Sequence, residues 1–255
     1  MSAFYCSESK YAIHRHHTYR FLFMNNYSQY IRYSWLLLVP GILMAQSTRF
    51  PSDIPPDHAI ILFDGADTLA DVGQQWKAVG GWSGGGAQQE SPLTYHGLLM
   101  NGVETRQSFQ DFQLHVEFCV LVNPRYTDAE ERGNSGIYIQ RRYELQITDA
   151  WGEEPRKNLL GGIYKIKAPD INPARKAGEW QIFDIDFRAA RWNTNQEKTA
   201  NARITVFLNG IRIHDNVEIP NKTGLGRSEG PEPGPIFLQD HDNPVLFRKI
   251  WILPR

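Results

Sequence analysis

Cysteine is nearly absent. The 255-residue chain has two, Cys6 and Cys119, so the dense disulfide framework that staples many small exported domains is not available to it. No apolar run reaches the length of about 18 residues that a membrane-spanning helix needs. No helical period of apolar residues lasts ten positions, which argues against a helical bundle. Charge of one sign is not in excess either: the net charge is −1, and the electrostatic ground for nucleic-acid binding is missing. Two signatures of other chemistries are also lacking. GWSGGG (81–86) has neither the lysine nor the following helix of a phosphate-cradling loop, and no GxSxG elbow is present.

What is present begins with a charge asymmetry. Residues 1–45 carry Lys10, Arg15, Arg20 and Arg32 against Glu8 alone, while the rest of the chain is mildly acidic. Arg32 precedes WLLLVPGILMA (Trp35 to Ala45), a run too short to cross a bilayer but of the length of a signal-peptide core. Residues 1–45 therefore read as a signal peptide. Within them, residues 1–23, with the HRHH cluster at 14–17, have no signal logic and read as an extension ahead of a start at Met24. That reading removes the histidine cluster and Cys6 and leaves Cys119 alone. A proline-rich linker follows over 46–57, and one domain occupies 58–255. The expected destination is export, to the periplasm, the cell envelope or the medium, with no transmembrane span after cleavage.

Alternation of period two pervades the domain. In QLHVEFCV, Leu114, Val116, Phe118 and Val120 share one face, with Gln113, His115, Glu117 and Cys119 on the other. In RITVFLNGIRIHDN, Asn209-Gly210 is a favoured two-residue turn, expected to set Leu208 against Ile211 and Val206 against Ile213. In GNSGIYIQRRYELQITDAWG (133–152), a two-residue loop would mix the faces. A three-residue loop, Arg141 to Tyr143, pairs Gln140 with Glu144 and Tyr138 with Gln146 and keeps both faces consistent. Such loops usually contain glycine in a left-handed conformation, and none is there; a bulge would solve this. One face is apolar (Ile137, Ile139, Leu145, Ile147). The other carries Tyr138, Gln140, Glu144, Gln146 and Thr148, a set suited to hydrogen bonding and ring stacking against a sugar. At the C-terminus, GPIFLQDHDNPVLFRKIWILPR predicts two strands around Asp242-Asn243-Pro244, with Gln239 and His241 on one face. Long Gly/Pro-rich loops at 81–90, 151–180 and 221–234 are the kind that build a site.

Several phrases resemble the 3-keto-disaccharide hydrolase domain family. They are LFDG (62–65), DFQLHVEF (111–118), GNSGIYIQRRYELQITDAWG, GGIYKIKAP (161–169), GEWQIFDIDFRA (178–189), VFLNG (206–210), DNVEIP (215–220) and GPIFLQDHDNPVLFRKIWI (234–252). Together they span nearly all of 58–255 in one order. The resemblance implies an all-β, concanavalin A-like jelly-roll sandwich of two antiparallel sheets, with the long loops around a concave, sugar-binding face. The chain departs from the family's pattern at Gln181, at Lys249, and at Lys165 and Lys167, which charge a segment that is often neutral.

The resemblance also implies a substrate: a small glycoside whose C3 hydroxyl is already a ketone. That carbonyl acidifies the C2 hydrogen, so a base can remove it and the enolate can expel the group at C1. Expected in catalytic roles are Glu144 as base or acid, His241 as proton shuttle near neutral pH, and Asp149. Tyr138, Gln140, Gln146, Gln239, Arg248 and Trp151 are expected to bind the sugar or the enolate. Glu144, His241 and Asp149 would suit a divalent cation, but no short ligand spacing calls for one, and no cofactor is assigned. A non-catalytic sugar-binding module on the same fold remains the alternative, because fold alone does not determine function. N-terminal sequencing of exported material should find a mature chain beginning near Gln46; residues 1–23 still attached would overturn this reading of the leader.

Overall fold

The computed structural model describes residues 54–67, 69–79, 94–95 and 97–255; the signal-like segment and most of the linker lie outside them. Strands dominate. The chain opens with β1 (Ile60–Phe63), a short helix α1 (Leu69–Gln75) and β2 (Trp76–Ala78). Then come β3 (Thr94–Tyr95), β4 (Leu98–Met100), β5 (Val103–Thr105) and the long β6 (Phe112–Val120). The hairpin β7 (Ser135–Ile139) and β8 (Tyr143–Ile147) follows. Next are β9 (Gln181–Arg188), β10 (Arg191–Trp192) and β11 (Lys198–Ala200). The chain ends with β12 (Ala202–Leu208), β13 (Ile211–Ile219), β14 (Phe237–Leu238) and β15 (Val245–Pro254).

These strands build an antiparallel sandwich. Eight form a large sheet in the order β13-β12-β9-β6-β15-β4-β3, with β1 added against β15, and five form a small sheet, β2-β5-β14-β7-β8. The C-terminal strands that the sequence predicts do not pair with each other: β14 belongs to the small sheet and β15 to the large, so the Asp242–Pro244 turn carries the chain between layers. The core lies between the sheets. From β6 it takes Phe112, Leu114, Val116, Phe118 and Val120, and from the hairpin Ile137, Ile139, Leu145 and Ile147, all essentially inaccessible. Each such side chain contributes roughly 1.5–3 kcal/mol by leaving water. Alternation then obliges the other face of each strand to point outward.

The Asn209-Gly210 turn forms as expected, with both residues at positive φ (53° and 79°) and Leu208 opposite Ile211. Beyond it the register shifts, and Val206 faces His214 rather than Ile213. That irregularity lets both Ile213 and His214 be buried.

The hairpin keeps the predicted faces but not the predicted register. Tyr138 pairs with Glu144 and Ile137 with Leu145, so the three-residue loop is Gln140–Arg142, one residue earlier than expected. A shift of two in the pairing leaves each side chain on its own face. The missing glycine is replaced by strain: Gln140 and Arg141 adopt φ of 52° and 59°. Arg142 N–H closes the turn on the Ile139 carbonyl at 3.0 Å. Cys119 is buried, packed with Leu121, Trp180 and Leu246, and Cys6 lies outside the described residues.

The free edge of β8 is closed by loops. Gln146 exchanges backbone hydrogen bonds with Gly162 and Gly161, and Tyr164 N–H donates to the Glu144 carbonyl at 3.1 Å. Glu144 N–H donates to Thr223 Oγ1 at 2.6 Å. The two long segments thus sit over the outer face of the small sheet. Leu145→Asp should abolish the cooperative thermal melt, because an unpaired buried carboxylate costs several kcal/mol, about the whole stability of a domain. Gln146→Ala, on the opposite face, should retain a cooperative melt. Equal loss in both would contradict the assignment of faces.

Candidate active site

On the outer face of the small sheet, side chains two residues apart form a polar floor. One row across β14, β7 and β8 is Phe237, Tyr138 and Glu144; the next is Gln239, Gly136 and Gln146. A cavity of about 350 Å³ opens on this floor, and it is lined by Tyr138, Glu144, Gln146, Gln239 and His241 among the residues expected from the sequence. Its walls come from the loops: Asn134, Asn158, Tyr164, Lys165, Gly224 and Leu225, with Glu130 and Glu131 exposed at the rim.

Glu144 is the distinctive group. It is 4% exposed, and its Oε2 accepts a hydrogen bond from Tyr138 Oη at 2.8 Å. It has no ion-pair partner among the described residues. Glu104 has Lys77, Arg141 and Arg227 within 3.6 Å. Glu117 has Arg248 at 2.6 Å and Lys249 at 2.9 Å. Asp184 has His115 at 2.6 Å. Among the described residues, Glu144 is buried with a phenol rather than a cation or a histidine as its side-chain partner. Burial accordingly pushes its pKa up to about 7, although the Tyr138 hydrogen bond and the charge of Lys165 pull the other way. Tyr138 is itself pushed up, by burial and by Glu144 beside it.

Space around this carboxyl depends on two glycines. A Cβ at Gly136 would lie 2.7 Å from Glu144 Oε1 and 3.3 Å from Gln239 Oε1. One at Gly224, where φ is +45°, would lie 2.9 Å from Glu144 Oε2. Either would fill the floor. Two amide oxygens nearby, Gln146 Oε1 and Gln239 Oε1, are buried and accept no hydrogen bond from the described residues. Each costs about 1–3 kcal/mol in that condition, and each would accept from a sugar hydroxyl or from the protonated form of a carboxyl. Gln146 Nε2 is held by Asn134 Oδ1 at 3.0 Å, which orients the amide.

The remaining expected residues do not reach the cavity. Gln140 serves the strained turn: its Nε2 donates to the Phe109 carbonyl at 2.8 Å and its Oε1 accepts from Arg142 at 3.0 Å. Asp149 lies 3.6 Å from Arg132, whose carbonyl its backbone N–H also binds. Trp151 is exposed, with the Lys176 ammonium 4.6 Å above its ring. Arg248 is on the outer face of the large sheet, bound to Glu117 and stacked 4.0 Å over Trp180. Among the described residues no group of three His, Cys, Asp or Glu side chains converges as a metal site, and Asp149 is not brought to Glu144 and His241. The sequence missed the wall residues because they come from loops without a period. The charges of Lys165 and Lys167 within GGIYKIKAP were the one signal there.

Residues 58–253 match the family described as the 3-keto-alpha-glucoside-1,2-lyase-like domain. Among solved structures, a candidate glycosyl hydrolase from Parabacteroides distasonis is 30% identical, with a TM-score of 0.64, covering 82% of this chain and 95% of its own. A second candidate glycosyl hydrolase from that organism is 16% identical with a TM-score of 0.51, covering 80% of this chain and 99% of its own. That second likeness speaks to the fold alone. No curated protein matches the chain.

The raised pKa has a consequence for stability. An unfolded chain ionises Glu144 near the ordinary 4.5, the folded one near 7. Stability is therefore full below 4.5, falls as pH rises through that window, and stays lower above it, by roughly 3 kcal/mol. Glu144→Gln should accordingly leave stability little changed near pH 4 and raise it at pH 8, by up to about 3 kcal/mol. Denaturant unfolding at the two pH values checks this, and equal effects at both would show that the carboxyl is not held neutral.

Proposed function

Because the chain belongs to the 3-keto-alpha-glucoside-1,2-lyase-like domain family, we propose that it is a carbohydrate-active enzyme that cleaves glycosides already oxidised at C3, with Glu144 as the base that takes the C2 proton. The observation that carries this reading is the buried carboxyl of Glu144, without an ion-pair partner among the described residues, on the floor of a sugar-sized cavity. A base with a pKa near 7 combines enough of its ionised form with enough basicity at neutral pH. Glu130 and Glu131, the other carboxylates lining the cavity, are solvated at its rim. One base on the floor suits deprotonation beside a carbonyl better than it suits a pair of carboxylates astride a glycosidic bond.

In this scheme the ionised Glu144 removes the C2 hydrogen as a proton, and the C–H electrons delocalise onto the C3 oxygen as an enolate. The carbonyl then re-forms, the electron pair becomes the C1–C2 double bond, and the C1–O bond breaks. The departing oxygen takes a proton from His241. Water then adds across the new double bond: its hydroxyl goes to C1, its other proton restores His241, and the proton on Glu144 returns to C2, for a net hydrolysis. Tyr138 holds Glu144 in place throughout. The oxygens of Gln146 and Gln239 accept from sugar hydroxyls and so orient the ring.

Glu144→Gln should lower turnover of a 3-keto-glucoside by roughly 10²–10⁴ while leaving the protein folded and able to bind the sugar. In the unaltered protein kcat/KM should rise with pH and level off above about 7, as Glu144 ionises. His241→Asn should lower turnover as well, because the departing oxygen then lacks its proton donor. The assay follows release of free 3-keto-glucose. Full activity in Glu144→Gln would exclude this base, and saturable binding of the sugar without turnover in the unaltered protein would leave a non-catalytic sugar-binding module instead.

A further inference from the structure

An enolate formed in the cavity needs positive charge, and the floor offers none: Glu144, Tyr138, Gln146 and Gln239 are acidic or neutral. Among the described residues that line the cavity, Lys165 is the one lysine or arginine. Its placement is not casual. Residues 163–167 form a tight turn, closed by Ile166 and Lys167 N–H donating to the Ile163 carbonyl at 2.8 and 3.0 Å. That turn hangs from the strand that carries the base. Ile163 bridges Leu145, and Tyr164 N–H binds the Glu144 carbonyl. On its other side Lys165 N–H donates to the Lys157 carbonyl at 3.0 Å. Between these anchors Lys165 has a φ of +61°, a left-handed conformation that glycine adopts freely and a lysine adopts at a cost. Strain of this kind persists where the surroundings over-determine it, and it gathers at sites of function. Here it aims a cation along the cavity wall, beside the Tyr164 ring, whose centroid is 5.1 Å from Nζ. The charge is felt at the floor, where it lowers the Glu144 pKa against the larger effect of burial.

We infer that Lys165 is a catalytic residue, its ammonium holding the sugar's C3 oxygen as that oxygen becomes an enolate. The inference rests on the C2-deprotonation reading above. As the proton moves from C2 to Glu144, negative charge leaves the carboxylate and appears on the C3 oxygen. A cation at the wall then exchanges its partial hold on Glu144 for a full one on the enolate, which stabilises the transition state more than the ground state.

Lys165→Gly is the informative variant, because glycine suits the left-handed backbone and the fold should survive with an unchanged or higher melting temperature. With a 3-keto-glucoside in D₂O, NMR follows C2 exchange and release of the free sugar together. We expect kcat for both to fall by roughly 10²–10³ with KM nearly unchanged, the usual worth of one oxyanion donor. The acidic limb of the pH–rate profile should also move to higher pH, since the cation that lowers the Glu144 pKa is gone. Lys165→Arg should recover part of kcat. An unchanged kcat in Lys165→Gly would overturn the inference alone, and so would a loss confined to KM, which would make Lys165 a ground-state contact. No C2 exchange and no cleavage in the unaltered protein would overturn the functional reading and this inference with it.

Discussion

One carboxyl group, taken out of water without a counter-charge, organises this protein. Glu144 is nearly inaccessible, yet among the described residues its side-chain hydrogen-bond partner is a phenol, whereas Glu104, Glu117 and Asp184 have cations or a histidine beside them. An unpaired buried carboxylate would be very costly, and the group avoids the cost by remaining largely protonated up to neutral pH. Much else follows from holding it there. The hairpin must bury Leu145 and Ile147 inward so that Glu144 and Gln146 turn outward. Glycine must stand at 136 and 224, where any side chain would displace the carboxyl. Loops must cover the outer face, or water would reach the group and return its pKa to the ordinary range.

The same contrast separates structural from chemical polar groups elsewhere in the sandwich. The outer face of β6 carries His115, Glu117 and Cys119 in alternation. In the fold these groups are taken up by neighbours: His115 Nδ1 by Asp184, with the ring stacked on Trp251, and Glu117 by Arg248 and Lys249. A buried ion pair such as Glu117–Arg248 contributes little net stability, but removal of one partner strands the other. Arg248 belongs to this group, and its guanidinium is already committed.

The sequence disclosed which residues face which way, and less about where loops return. Period-two alternation placed Tyr138, Glu144 and Gln146 on one face because the core admits only the opposite set. It also placed Gln239 and His241, which follow β14 in the same sheet, on one face, and both line the same cavity. The register of the hairpin was not legible. Its loop contains no glycine, and the positive φ of Gln140 and Arg141 is sustained by distant groups: the Phe109 carbonyl on the Gln140 amide, and the Arg227 N–H on the Arg141 carbonyl. Those same contacts withdraw Gln140 from the cavity. Asp149 and Trp151 lie past the end of β8, and Arg248 lies past the turn that takes the chain to the other sheet, and parity cannot be counted through either. Asn134, Asn158 and Tyr164 had no local pattern to reveal them.

The loop that closes β8 also bears on how the molecule meets others of its kind. β8 ends the small sheet, and a bare edge strand invites another chain to add to it. Here residues 161–164 and Thr223 already occupy the outward N–H and C=O groups of Glu144 and Gln146. A second chain could dock on that edge only by peeling away the segment that walls the cavity. Self-association through this edge and an intact cavity therefore exclude one another, and a fibril seeded there would be built from inactive protein.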